Sequence, residues 1–107
     1  MPAAPAMIQS KIIDFYELIK TVFPVRKVLL YGSYAKGTQR QDSDIDVAVV
    51  VDLSDHSQRI SITTKLFGFA RQIDARIEPK TVFWDEYLHH ENASILAEII
   101  RTSIELK

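Results

Sequence analysis

Apolar residues recur along the first part of the chain at helical spacing. Ile8, Ile12, Ile13, Tyr16, Ile19 and Val22 fall on one helical face at steps of three and four, with Lys11, Asp14 and Lys20 largely off it. Pro24 ends this helix, because proline disfavours the helical conformation of the residue before it. The six residues at the start are rich in proline and alanine, and residues 1–6 are expected to fray. The period then changes. Residues 27–31 form a short apolar run that predicts a buried strand, broken at Gly32-Ser33. Residues 33–37 fit a single helical turn with Ser33 as its cap. A polar loop over 37–43 leads to residues 46–51, whose near-continuous apolar character predicts a second strand buried on both faces.

Beyond a loop at 52–57, a helix is expected over 57–72, with Ile60, Ile62, Leu66, Phe67 and Phe69 among its apolar positions. A third strand over 74–82 places Asp74, Arg76 and Glu78 on one face and Ala75 and Ile77 on the other. Phe83 and Trp84 lead into a short helical segment at 86–89. The last helix, over 92–106, presents Ile95, Leu96, Ile99, Ile100 and Ile104. The order α-β-turn-β-α-β-α predicts an α/β (α+β) fold, a small sheet with helices packed on it.

Composition narrows the classes without choosing one. A chain of 107 residues is expected to form one domain, 1–107, with a single core. No cysteine is present, which excludes a disulfide framework and a thiolate zinc site. The first residues lack a basic region followed by a long apolar run, and no apolar run approaches the ~20 residues of a membrane span. A cytoplasmic protein is expected. The net charge of -1 gives no sign of a broad nucleic-acid-binding surface.

The candidate chemistry lies in the two motif strands. Asp44 and Asp46 alternate, so a strand carries both carboxylates to one side of the sheet, beside a glycine turn able to receive a phosphate. Taken alone, each half is weak. Gly32 and Gly37 have P-loop spacing, but Thr38 stands where that motif needs lysine, and no G-x-G-x-x-G is present. Asp42, Asp44 and Asp46 suggest a calcium loop until Val47 occupies its obligatory glycine position. An isolated D-x-D is most simply a pair of solvated side chains at a strand entrance. Against that reading, aspartate is a poor strand former. Asp46 nevertheless adjoins five consecutive Val/Ala residues at the core's edge, where a carboxylate needs a compensating partner such as a hard cation.

Together, Gly32-Ser33, ten residues, and Asp44-Ile45-Asp46 match the G-S-x10-D-x-D signature of the polymerase-β-like nucleotidyltransferase superfamily. The wider string from Tyr31 to Gly37, with Ser43 to Asp46, resembles its smallest branch, the minimal nucleotidyltransferases, and the resemblance extends over nearly the whole chain. It implies the polymerase-β-like fold, with Gly32 and Ser33 holding the β- and γ-phosphates of a nucleoside triphosphate. It also implies Asp44 and Asp46 as ligands of Mg²⁺. Lys36, and less strongly Arg40, would touch the triphosphate, with Ser43 part of the nucleotide site. A third carboxylate, serving as base and metal ligand, is assigned to Glu78, with Asp74 in reserve. Glutamate stands here where many relatives have aspartate, and the bland alternative is a surface ion pair between Glu78 and Arg76.

His56, His89 and His90 are taken as surface residues, because one carboxylate at Glu86 and one imidazole fall short of a zinc ligand set. Phe83, Trp84 and Tyr87 are assigned to packing, although one of them could line a base pocket. The resemblance implies AMP transfer from ATP to an acceptor hydroxyl. Within this branch such a protein is commonly the antitoxin of a helical HEPN ribonuclease and modifies a tyrosine of that toxin in a hetero-oligomeric complex. Two rivals belong to other classes: a catalytically weak module that neutralises its partner by binding, and a sensor that holds ATP without transferring it.

Overall fold

The computed structural model describes residues 4–40 and 42–107. Its centre is a four-stranded mixed sheet in the order β3-β2-β1-β4. The strands are β1 (Val25–Tyr31), β2 (Ile45–Val51), β3 (Ile77–Phe83) and β4 (Ile104–Glu105). β1 runs antiparallel to both β2 and β4, whereas β2 and β3 are parallel. Among the described residues five α-helices accompany them: α1 (Ala6–Ile19), α2 (Ser33–Lys36), α3 (Arg59–Ile73), α4 (Trp84–His89) and α5 (Ile95–Thr102).

β2 is buried on both sides, as its composition predicts, and its alternation divides the core in two. Ile45, Val47, Val49 and Val51 join Ile8, Ile12, Phe15 and Ile19 of α1 and Ile62, Leu66 and Ala70 of α3. Ala48 and Val50 face the other way, with Leu29, Val82 and Ile99, and with Trp84 and Tyr87 packed beside them. Each fully buried valine of this strand stabilises the fold by about 1.5–3 kcal/mol, which explains why the most apolar stretch occupies the centre.

Several expectations are corrected. The fully buried stripe of α1 runs through Phe15, with Tyr16 half-buried against the core and Ile13 outside that cluster, and Val22 lies past the helix and exposed. Ile60 and Phe67 of α3, and Ile95 of α5, point outward. Residues 1–3 of the segment expected to fray lie outside the described residues; of the rest, Ala4 is buried and Ala6 opens α1. Gly32, not Ser33, occupies the capping position of α2, and no side chain caps it. A 3₁₀ turn, His56–Gln58, precedes α3, with the Asp55 carboxylate accepting from the Ser57 N–H.

The last helix stops at Thr102, and residues 104–105 form an edge strand on β1. Ile104 and Leu106 suit either period. The free edge of Val28 decides: its C=O accepts from the Leu106 N–H at 2.9 Å and its N–H donates to the Lys107 C=O at 3.1 Å. The opposite edge, along β3, is blunted. The Ile77 N–H donates to the Asp74 C=O, Pro79 has no N–H, Arg59 donates to the Thr81 C=O, and the Phe83 N–H donates to Glu86. Few groups remain to template another strand.

Candidate active site

The site forms where β1 ends and where β2 and β3 begin. Antiparallel pairing sets Tyr31 opposite Asp46, and parallel pairing sets Asp46 beside Glu78. Tyr31, Asp46 and Glu78 therefore lie in a row across three strands. Asp46 shares strand parity with Ala48 and Val50, so its side chain belongs to the sheet face that carries α4 and α5. Asp44 is exposed just before β2, Asp46 is half-buried, and Glu78 is exposed. Tyr31, Asp46 and Glu78 line an open cavity of about 330 Å³ together with Arg59, Thr63 and Lys80.

Gly32 makes the arrangement possible. Its backbone is in a region reserved for glycine, φ 74° and ψ -149°. A β-carbon there would sit 2.3 Å from Oδ2 of Asp46. The turn and the carboxylate thus occupy a space that only a residue without a side chain leaves open. Immediately after it, α2 starts at Ser33 and ends at Gly37, which takes the left-handed conformation that closes the turn. The first-turn N–H groups of a helix have no intrahelical acceptor and remain available to an anion.

The electrostatics are those of carboxylates gathered at a half-buried position. Burial pushes the Asp46 carboxyl above its usual range, and the neighbouring Glu78 and Asp44 carboxylates push it the same way. Burial likewise raises the Tyr31 phenol, with Asp46 and then Glu78 adding to it. None of the three carboxylates forms an ion pair with a described residue. Among the described residues, no three Asp, Glu, His or Cys side chains are grouped tightly enough to hold a metal ion alone. A hard divalent ion such as Mg²⁺ asks for less. It commonly takes one or two carboxylates and completes its shell with phosphate oxygens and water. Asp44 and Asp46 supply that donor set, so the residues present fit the ion.

Other residues singled out from the sequence are dispersed. Lys36 is exposed at the end of α2 and Arg40 is exposed in the following loop. Ser43 closes that loop: its Oγ accepts from the Arg40 N–H at 2.7 Å, and its N–H donates to the Arg40 C=O. Asp74 is not on β3 at all. It ends α3, where its carboxylate receives Lys11 at 2.6 Å and Arg76 at 2.8 Å, and hydrogen bonds from Arg76 and Lys11 hold its carboxyl far below the usual range. That engagement gives Asp74 two cationic partners of its own. It also turns Arg76 away from the ion pair with Glu78 considered above.

His56 is exposed but employed, stacked on Phe83 and 3.0 Å from Asp85, while Nδ1 of His90 lies 2.6 Å from the Tyr87 C=O. Glu86 bonds Arg59 and the Phe83 N–H. Phe83 is core, and Trp84 stacks on Tyr87 beneath Arg26. The residue that sequence reasoning left without a role is Tyr31. The signal for it was present, because an antiparallel pair between the motif strands puts position 31 opposite position 46.

Known proteins resemble this chain in sequence and in fold. The family model described as polymerase beta, nucleotidyltransferase matches residues 11–107. Among curated proteins, the chain is 32% identical over 78 residues to "Putative protein adenylyltransferase MJ0604" of Methanocaldococcus jannaschii, covering 70% of this chain and 77% of that protein. It is 33% identical over 58 residues to "Putative protein adenylyltransferase MJ1379" of the same organism, covering 49% of this chain and 58% of that one. Among solved structures, it resembles a chain in a crystal structure of a toxin–antitoxin with AMP-PNP. The TM-score is 0.57 at 26% identity, over 92% of this chain and 72% of that one. A crystal structure of a toxin–antitoxin MntA–HpeT mutant gives a TM-score of 0.55 at 26% identity, over 92% of this chain and 71% of that one.

Proposed function

The chain belongs to the polymerase-β nucleotidyltransferase family, and on that premise we propose that it transfers AMP from ATP to a hydroxyl of a protein. The acceptor in this reading is a tyrosine of a helical HEPN-type toxin, and the transfer makes the chain an antitoxin, working as one minimal nucleotidyltransferase domain. The observation that carries the proposal is the contact of Gly32 with the Asp46 carboxylate, in a row that continues to Glu78 and contains no cationic partner among the described residues. The relatives named as protein adenylyltransferases support a protein acceptor. The toxin–antitoxin neighbours, one of them holding AMP-PNP, support ATP as the donor and a toxin as the partner.

In this mechanism Gly32 lets the backbone approach the β- and γ-phosphates, and the Ser33 hydroxyl and first-turn N–H groups of α2 hold them. Asp44 and Asp46 hold Mg²⁺, which when bound supplies the positive charge that offsets the triphosphate. Lys36 contributes a further charge at the end of α2, and Ser43 keeps the connecting loop in shape. Glu78, exposed beside Asp46, receives the proton of the hydroxyl that attacks the α-phosphorus, as the bond to the β-phosphate breaks and pyrophosphate leaves. Positioning and charge carry most of the rate in transfers of this kind.

The test uses ATP labelled in turn at the α- and γ-phosphate, incubated with the protein, Mg²⁺ and a candidate helical partner. Label on the partner from the α position alone supports the proposal. Label from the γ position, or from neither, contradicts it. A second reading, neutralisation by binding alone, draws on the toxin–antitoxin structures that this fold resembles; it predicts a stable complex with no label.

A further inference from the structure

Tyr31 stands in the row of site residues, and the chemistry described so far gives it nothing to do. It pairs in register with Asp46, which pairs with Glu78, and the three line one cavity. Its ring is half-buried and packs against the apolar cluster of Leu29, Ala48 and Val50. Packing alone would be served by phenylalanine, which presents the same ring without the hydroxyl. The Tyr31 hydroxyl makes no hydrogen bond with a described residue. The other tyrosine at this end of the sheet, Tyr34, does have a partner: Arg76 donates to its hydroxyl at 3.3 Å. The Tyr31 phenol is thus a donor without an acceptor among the described residues, on the wall of a cavity that the Asp46 and Glu78 carboxylates also line.

We propose that the Tyr31 hydroxyl donates a hydrogen bond to a substrate oxygen seated over Asp46, making Tyr31 a substrate-binding residue of this site. The proposal rests on the nucleotidyltransferase reading above. Two sources offer the same chemistry: an oxygen of the nucleotide, or the hydroxyl of the acceptor. Either one completes the phenol's hydrogen bonding in a way that neither Asp46 nor Glu78 does in the free protein.

Tyr31→Phe keeps the ring and its packing and removes only the oxygen. The experiment compares wild type and variant in three readouts: Kd for Mg²⁺ with AMP-PNP, KM for the acceptor at saturating ATP, and melting temperature. Loss of one neutral hydrogen bond is worth about three- to tenfold in binding. A rise of that size in the Kd for AMP-PNP places the contact on the nucleotide. A rise confined to the KM for acceptor places it on the hydroxyl that is modified. Unchanged Kd and KM, with or without a shift in melting temperature, would overturn the proposal and leave Tyr31 a packing residue. Failure of the underlying reading is visible separately: wild-type protein that neither binds AMP-PNP nor modifies a partner removes the site itself, and this contact with it.

Discussion

Gly32→Ala places two demands on one added carbon atom. The first is conformational. At φ 74° and ψ -149° the backbone is in a region populated almost only by glycine, and holding alanine there costs about 1–3 kcal/mol. For a chain of this size each kcal/mol corresponds to about 4–8 °C in melting temperature, so the variant melts at least about 4 °C below wild type. The second demand is steric. The new β-carbon would lie 2.3 Å from Asp46 Oδ2 and 3.3 Å from Asp46 Cγ. The carboxylate therefore has to retreat by about 1 Å, a misplacement that costs on the order of a hundredfold in rate at a reacting centre. The two effects separate experimentally. Urea denaturation gives the loss of stability. Transfer of α-label at saturating MgATP, at a temperature where both proteins are fully folded, gives the loss of chemistry. A folded Gly32→Ala protein within twofold of the wild-type transfer rate would refute the argument that this glycine makes room for Asp46.

Gly68→Ala is the matched control: a β-carbon there meets nothing within 4 Å, in mid-helix, so the variant should gain about 0.5–1 kcal/mol in denaturation with unchanged transfer. Asp46→Asn should abolish transfer yet, in metal-free buffer, melt no lower than wild type, because it removes the repulsion from Glu78 and Asp44. Added Mg²⁺ with ATP should stabilise wild type alone, as read by thermal melting. Asp74→Asn should cost about 1.5–3 kcal/mol at pH 7 through its bonds to Arg76 and Lys11. The Asp74 carboxyl is held below its unfolded value, so its contribution is complete above about pH 4 and is lost as the pH falls further. Urea titrations of the two proteins should therefore converge in acid, with the Mg²⁺ dependence of transfer unaltered.

Much of the molecule was legible because its strongest signals are local. The run from Val47 to Val51 has no polar alternative, so a strand buried on both faces is the only economical reading. The spacing from Gly32-Ser33 to Asp44 and Asp46 fixed the turn and the carboxylate pair in one place. The errors lie where tertiary contacts decide between two local patterns. Residues 103–107 satisfy a helical or an alternating period, and the unpaired groups of Val28 select the strand. Asp74 fits the alternation of Arg76 and Glu78, yet Lys11, more than sixty residues away in sequence, captures it at the end of α3. Phe15 fell off the stripe chosen for α1 because two overlapping stripes were available, and only the position of the sheet distinguishes them.

The measurement that bears most directly on the central claim is intact mass spectrometry of a candidate helical partner after incubation with this protein and MgATP. A parallel incubation uses the Asp44→Ala/Asp46→Ala variant. The account predicts that the partner gains whole AMP increments on a tyrosine with wild-type protein and none with the variant. An unmodified partner in a stable complex with both proteins, still neutralised by the variant, would contradict it.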